Sequence, residues 1–378
     1  MLDAATAGGP IPAALAGVAH NWLSWIGISP RLDLAYRTMS PSPTPDTDTP
    51  DAAKAAETGP VDTQNHAHRP PPAARRLPLP WQAPKSREDE AEVDARLRAI
   101  MQHPSYLEAD SDVGFLHGDD TRGVRLQLDY LKAEQVLAQY GIERTIVVFG
   151  STRLREPARA RRELAQARRA STLKPHDAPA QRALRLAERR LELAAYYGVG
   201  RELGRLVGAC ADPRLAVLTG GGPGAMEAAN RGAFDLGAKS VGLNITLPHE
   251  QYPNPYLTPG LSLRFHYFAM RKLHFIKRAA ALVALPGGYG TMDELFCALT
   301  LIQTRKTAPI PVVLVGEAYW RQAFNAEFLL ESGSIDEEDL ELFQYAESAE
   351  EAWAAILEWH RRNGAPLIDD AAARKDLK

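Results

Sequence analysis

Residues 281–294 read ALVALPGGYGTMDE, a short apolar run, a proline, three glycines within four residues, and then a threonine three positions before a glutamate. An apolar run of strand length that ends in a glycine-rich turn and passes into a helical pattern is one βα unit of an α/β fold. The same texture recurs outward from it. Residues 145–149 (TIVVF) end at Gly150-Ser151, and residues 215–218 end at Thr219-Gly220-Gly221-Gly222-Pro223-Gly224. Further strands are predicted at 240–245, 311–315 and 342–346. Helices are predicted at 88–102, 125–140, 224–236, 269–279, 292–303, 319–331 and 349–362. A long helical stretch over 156–208 is interrupted near Lys174-Pro175 and Pro179. Strands alternating with helices imply a parallel sheet, so the fold class is α/β, a Rossmann-like doubly wound sheet with helices on both faces. The expected organisation is an extension over 1–85, a helical segment over 86–144, the nucleotide-binding domain over 145–365 and a tail over 366–378.

Composition narrows the function. The 378 residues carry 44 Lys and Arg against 47 Asp and Glu, a net charge of −3, so no nucleic-acid or membrane partner is expected. The basic run at 153–190 interleaves Arg with Ala, Leu and Glu and reads as a solvated helical face. Two cysteines, with no C-x-x-C and no histidine at ligand spacing, suggest neither disulfide nor metal, and a cytoplasmic location is expected. Residues 39–85 are rich in Pro, Asp and Thr and poor in large aliphatics, which predicts disorder. The uncharged stretch at 11–28 is short for a membrane span and contains His20, Asn21 and Ser24, and translation could equally start at Met39.

Both glycine-rich turns lie where a strand enters a helix, and there ligands bind open parallel sheets. Glycine lets the backbone approach an anion, and the helix N-terminus offers unpaired N–H groups and partial positive charge. Gly220, Gly222 and Ala225 also satisfy G-x-G-x-x-A. A dinucleotide site, however, expects an acidic residue after the next strand, and 240–246 has none. No Walker lysine is present. Thr291-Met292-Asp293-Glu294 has a structural alternative, because T-x-x-E opening an apolar run is a capping box.

Met270-Arg271-Lys272, followed by Pro286-Gly287-Gly288-Tyr289-Gly290-Thr291-Met292-Asp293-Glu294, resembles the M-x-x-R-K and P-G-G-x-G-T-x-x-E signature of the Lonely Guy (LOG) family, although Met270 here directly precedes Arg271. Gly220-Gly221-Gly222, Met226 and Pro248-His249-Glu250 are similar to family elements in the same order, and the resemblance runs over 145–359. It implies a hydrolase: a phosphoribohydrolase, or nucleosidase, of nucleoside 5′-monophosphates such as AMP or cytokinin ribosides. It also implies a homo-oligomer, dimer or larger, and no cofactor. Some relatives once carried the label lysine decarboxylase. That chemistry needs a pyridoxal-phosphate lysine, and nothing in the sequence singles one out. Carried onto this chain, the resemblance gives Glu294 and Arg271 as catalytic residues. It places the phosphate on Gly287, Gly288, Tyr289, Gly290 and Thr291, with Asp293, Lys272, Glu250, Gly220, Gly221, Gly222, Met226 and Ser151 as further substrate contacts. His249 and His266 are candidates to protonate the leaving base. A non-catalytic nucleotide-binding or sensing module is the alternative.

Overall fold

The computed structural model describes residues 77, 79–86, 88, 90–248 and 252–368, so most of the extension, with the 11–28 stretch, and His249, Glu250 and the end of the tail lie outside the described residues. Contacts divide the chain into two units, 1–117 and 118–378. The described part of the first unit is a short helix, Val93–Met101, with single turns around it.

The second unit is a seven-stranded sheet formed by β1 (Arg144–Phe149), β2 (Leu215–Thr219), β3 (Ser240–Ile245), β4 (Ser262–Phe265), β5 (Ala279–Ala284), β6 (Val312–Val315) and β7 (Gln344–Ala346). Every pairing is parallel and the order is β4-β3-β2-β1-β5-β6-β7. The chain runs from β1 toward one edge and then crosses to β5 on the other side, so the switch point lies between β1 and β5. Strand β1 shows why the middle of such a strand is apolar on both faces. Ile146 and Val148 are buried in one core and Val147 and Phe149 in the other, while the buried Thr145 at the strand start donates its hydroxyl to Arg278 O.

The first core is closed by α4 (Ala195–Ala209), α5 (Ala225–Asp235) and α10 (Ala349–Arg362). The second is closed by α1 (Arg122–Gln139), α6 (Phe268–Lys277) and α7 (Tyr289–Gln303). Helix α1 therefore belongs with the sheet, since Ala133 and Leu137 are buried in that core. The long helical stretch resolves into α2 (Pro157–Leu173), α3 (Ala178–Leu193) and α4, with Asp177 capping α3 through Ala180 N.

Two elements differ from expectation. The helix predicted over 319–331 is two, α8 (Glu317–Ala323) and α9 (Ala326–Glu331), because the Asn325 side chain accepts from Phe328 N and starts a new helix. Strand β4 was not expected. Its four residues alternate exposed and buried at the sheet edge, too short a pattern to stand out.

Helix α1 also holds both ends of α6. Asp129 accepts from His266 N and Tyr267 N at 2.8 and 2.9 Å at the start of α6. Glu134 binds Lys277 at 2.7 Å and Arg278 at 2.6 Å at its other end. Burial alone would raise the Glu134 carboxyl, but the two cations outweigh it and hold it at about 2. A folded-state carboxyl held below its ordinary 4.5 contributes stability that is complete above that value and lost as pH falls toward about 2. Glu134→Gln should therefore cost about 1–2 kcal/mol at neutral pH, allowing for solvent screening. The variant should also show a shallower loss of stability than wild type across that acid window in urea titrations. Parallel curves would refute the assignment.

Candidate active site

At the carboxyl edge of the sheet, Ser151 joins the two glycine-rich turns. Its N–H donates to Pro286 O at 3.0 Å, and its carbonyl accepts from Ala225 N, the first residue of α5, at 3.1 Å. The fit is close. Gly224 sits at φ 76°, and a Cβ there would stand 2.3 Å from Ser151 O, so only glycine is tolerated.

The first turn is braced from beneath by buried polar groups that no sequence motif singles out. Thr219 Oγ1 donates to Asn230 Oδ1 at 2.7 Å and accepts from Gly221 N at 2.9 Å. Asn254 donates through its backbone to Gly221 O at 2.8 Å and through Nδ2 to Gly222 O at 3.0 Å. Met226 is buried, its sulfur 2.9 Å from where a Gly220 Cβ would project.

The second turn opens α7, whose N-cap is Gly288. The capping box offered as the alternative reading of T-x-x-E is not formed. The helix starts at Tyr289, the Thr291 N–H donates to Gly288 O at 3.0 Å, and no side chain caps the helix. Glu294 is thereby freed from its own helix start. Among the described residues no protein acceptor takes the N–H of Gly288, Tyr289 or Gly290. Beyond Gly288 and Gly290 the space is open, and the Tyr289 ring is fully exposed. Such a terminus attracts an anion. Thr291 is buried against Gly287, and Tyr319 Oη on α8 donates to Gly287 O at 2.6 Å. Tyr319 is a functional candidate that no motif could reveal, since it enters only through the neighbouring strand β6. Tyr319→Phe should loosen the turn by about 1 kcal/mol. The expected result is a several-fold weaker affinity for a phosphate-bearing ligand in calorimetry with the fold intact, and unchanged affinity would show that the bond does not set the turn.

The charged groups converge on the same edge. Arg271, on α6, donates from Nε to the β3 carbonyl of Leu243 at 2.7 Å and stacks over Phe275 at 5.0 Å. One of its terminal nitrogens lies 2.5 Å from where a Gly220 Cβ would stand, so the guanidinium lies directly against the first turn. Lys272 Nζ lies 2.7 Å from Asp293 Oδ2 and 3.8 Å from Glu294 Oε2. Glu294 is only 8% exposed, and burial raises its carboxyl above the ordinary glutamate value, against the pull of Lys272 and Arg271. Burial likewise lowers the Arg271 guanidinium, opposed by Glu294 and Asp293. His266 is exposed, and its ring packs against Tyr267 at the start of α6. Of the sequence-derived candidates, only Glu250 and His249 lie outside the described residues.

The molecule is thus a Rossmann-like α/β protein whose switch point joins two glycine-rich turns to a buried carboxylate and two cations. Residues 226–356 match the family model described as "Possible lysine decarboxylase", a span that includes Arg271-Lys272 and the whole of Pro286 to Glu294. A comparison with curated proteins returned no match. Solved structures similar to this chain include the structural-genomics target TM1055, at 22% identity and TM-score 0.36, covering 56% of this chain and 98% of that one. Another is the molybdenum cofactor carrier protein of Chlamydomonas reinhardtii, at 20% identity and TM-score 0.34, covering 57% and 96%. A third is the molybdenum cofactor binding protein of Rippkaea orientalis, at 18% identity and TM-score 0.32, covering 43% and 85%. None of these likenesses bears on function. No helix among the described residues is long and apolar enough to cross a membrane.

Proposed function

We propose that this site hydrolyses the N-glycosidic bond of nucleoside 5′-monophosphates, taking up water and releasing free base and ribose 5-phosphate. The observation that carries the reading is the pairing of an open helix N-terminus with a buried carboxylate on the same helix. Gly290 and Glu294 are four residues apart, about 6 Å along the axis, the scale of a ribose with its 5′ carbon. A phosphate on the N–H groups of Gly288, Tyr289 and Gly290 leaves the sugar directed toward Glu294. As the C1′–N bond breaks, positive charge builds on the ribose. The Glu294 carboxylate stabilises that charge and orients the attacking water, whose hydroxide adds to C1′ and whose proton it accepts and returns by way of solvent to the departing base. Arg271, fixed by Leu243 O and Phe275, presents a rigid fork to phosphate or ribose oxygens from the side of the first turn. Lys272 keeps Asp293 and Glu294 in place, and its engagement with both carboxylates leaves its amine poorly suited to a Schiff base.

Incubation with AMP, GMP, CMP and UMP should yield free base and ribose 5-phosphate from at least one of them by liquid chromatography. Tight binding of a nucleotide without either product would replace the enzyme reading with a nucleotide-sensing one. Neither binding nor product would remove both.

A further inference from the structure

A buried peptide N–H with no acceptor is rare, because leaving it unpaired costs as much as a lost hydrogen bond, and the first glycine-rich turn contains one. Gly222 is buried, and no protein acceptor among the described residues takes its N–H. The groups beside it are all engaged. The Gly221 N–H donates to Thr219 Oγ1 at 2.9 Å, while the carbonyls of Gly221 and Gly222 accept from Asn254 N at 2.8 Å and Asn254 Nδ2 at 3.0 Å. No cis peptide occurs among the described residues, so the Gly221 carbonyl and the Gly222 N–H point in opposite directions. By holding that carbonyl, Asn254 turns the Gly222 N–H away from its own loop.

Asn254 is itself fixed on every side. Its Nδ2 also donates to Asn230 Oδ1 at 2.9 Å and its Oδ1 accepts from Tyr256 N at 3.2 Å, so reversing the amide would set oxygen against oxygen. Pro253 and Pro255 flank it, and a residue before proline is confined to extended backbone. Tyr256 fastens the segment to α5, its ring against Phe234 at 5.6 Å and under the Arg231 guanidinium at 5.2 Å. The unused donor has a neighbour of its own kind. Arg271 bonds the protein through Nε alone among the described residues, and one of its terminal nitrogens lies against Gly220, two residues before Gly222.

We infer that Asn254 is a positioning residue for ligand binding: it holds the first turn so that the Gly222 N–H and the Arg271 fork donate to the sugar oxygens of a nucleotide whose phosphate lies on the α7 terminus. The inference rests on the nucleoside 5′-monophosphate reading of the site and divides recognition between the two turns. The second turn, with Tyr319 behind it, takes the phosphate. The first, with Asn254 behind it, takes the sugar. A brace that served the fold alone would lower the melting temperature without telling these two parts of a ligand apart.

Calorimetry of the full chain with AMP and with orthophosphate tests the division. Asn254→Ala should raise the dissociation constant for AMP about tenfold, the loss of one hydrogen bond, and leave that for orthophosphate unchanged. Tyr319→Phe is the mirror image and should weaken both ligands by the same factor. In turnover, Asn254→Ala should raise KM by about as much as the dissociation constant and change kcat by less than about threefold. Circular dichroism checks folding. Should Asn254→Ala not fold, Asn254→Ser keeps the backbone bond to Gly221 and a shorter donor, and it should show the same division at smaller size. Unchanged AMP binding, or equal loss of AMP and orthophosphate, would overturn the inference. AMP bound but not hydrolysed, with the division intact, would remove the hydrolysis and leave the role of Asn254 standing. A wild type that binds no nucleotide would overturn both.

Discussion

Glu294→Gln should lower turnover of nucleoside 5′-monophosphates by at least about a hundredfold, the size of effect found when a preorganised charge is removed from a developing ionic transition state. The substitution keeps the shape and removes the charge. Because Glu294 takes no part in capping α7, the fold should not depend on its ionisation. Burial raises its folded pKa, so ionising it works against the fold as pH rises through the ordinary glutamate range. The Gln variant should therefore unfold no earlier than wild type at neutral pH. The same shift fixes the pH profile. The carboxylate is the working form, so wild-type activity should fall on the acid side at a pH above the ordinary value of 4.5, and the residual activity of the variant should lack that limb. Turnover within threefold of wild type would remove Glu294 from the mechanism.

Gly232→Ala should be the more damaging change to the fold, costing about 3 kcal/mol or more, roughly 6–12 °C in Tm. Helices α4 and α5 cross backbone to backbone. A Cβ on Gly232 would stand 1.9 Å from Arg201 O, and one on Gly204 would stand 2.1 Å from Ala229 O. Neither obstacle is a side chain that can turn away, so the helices must part and open the core beneath them. The displacement would also move the first glycine-rich turn, which is the entry to α5. Gly198→Ala is the control, since it lies in α4 with nothing near its Cβ position, and it should be neutral or slightly stabilising. Equal melting temperatures for the two variants would show that the crossing is looser than described.

The central strands were legible in the sequence because burial on both faces leaves no choice but a short apolar run, as in TIVVF and ALVAL. The glycine-rich turns and the Arg271 and Glu294 motifs were legible for a related reason, since close backbone approach and fixed charge demand particular residue types. What could not be read depends on partners far away in the chain. Tyr319, Asn230 and Asn254 belong to no motif: Asn230 reaches the first turn from the helix that the turn opens, and strand order brings Asn254 and Tyr319 to the turns. Helix α7 starts three residues before the expected 292, because Pro286-Gly287-Gly288 had already turned the chain into the helix, and the capping box that T-x-x-E offered as an alternative is not formed. Helix α1 carried an ordinary amphipathic pattern that gave no sign of which core it would close.

The shared Ser151 peptide has a consequence for the order in which the molecule can be built. Its N–H waits for Pro286 and its carbonyl for Ala225, so the groove is complete only once β1, β2 and β5 are all in place. A nascent chain that has left the ribosome only as far as α5 owns one wall of that groove and no acid. Ligand therefore cannot act as a template for early folding, and it can protect only the finished domain.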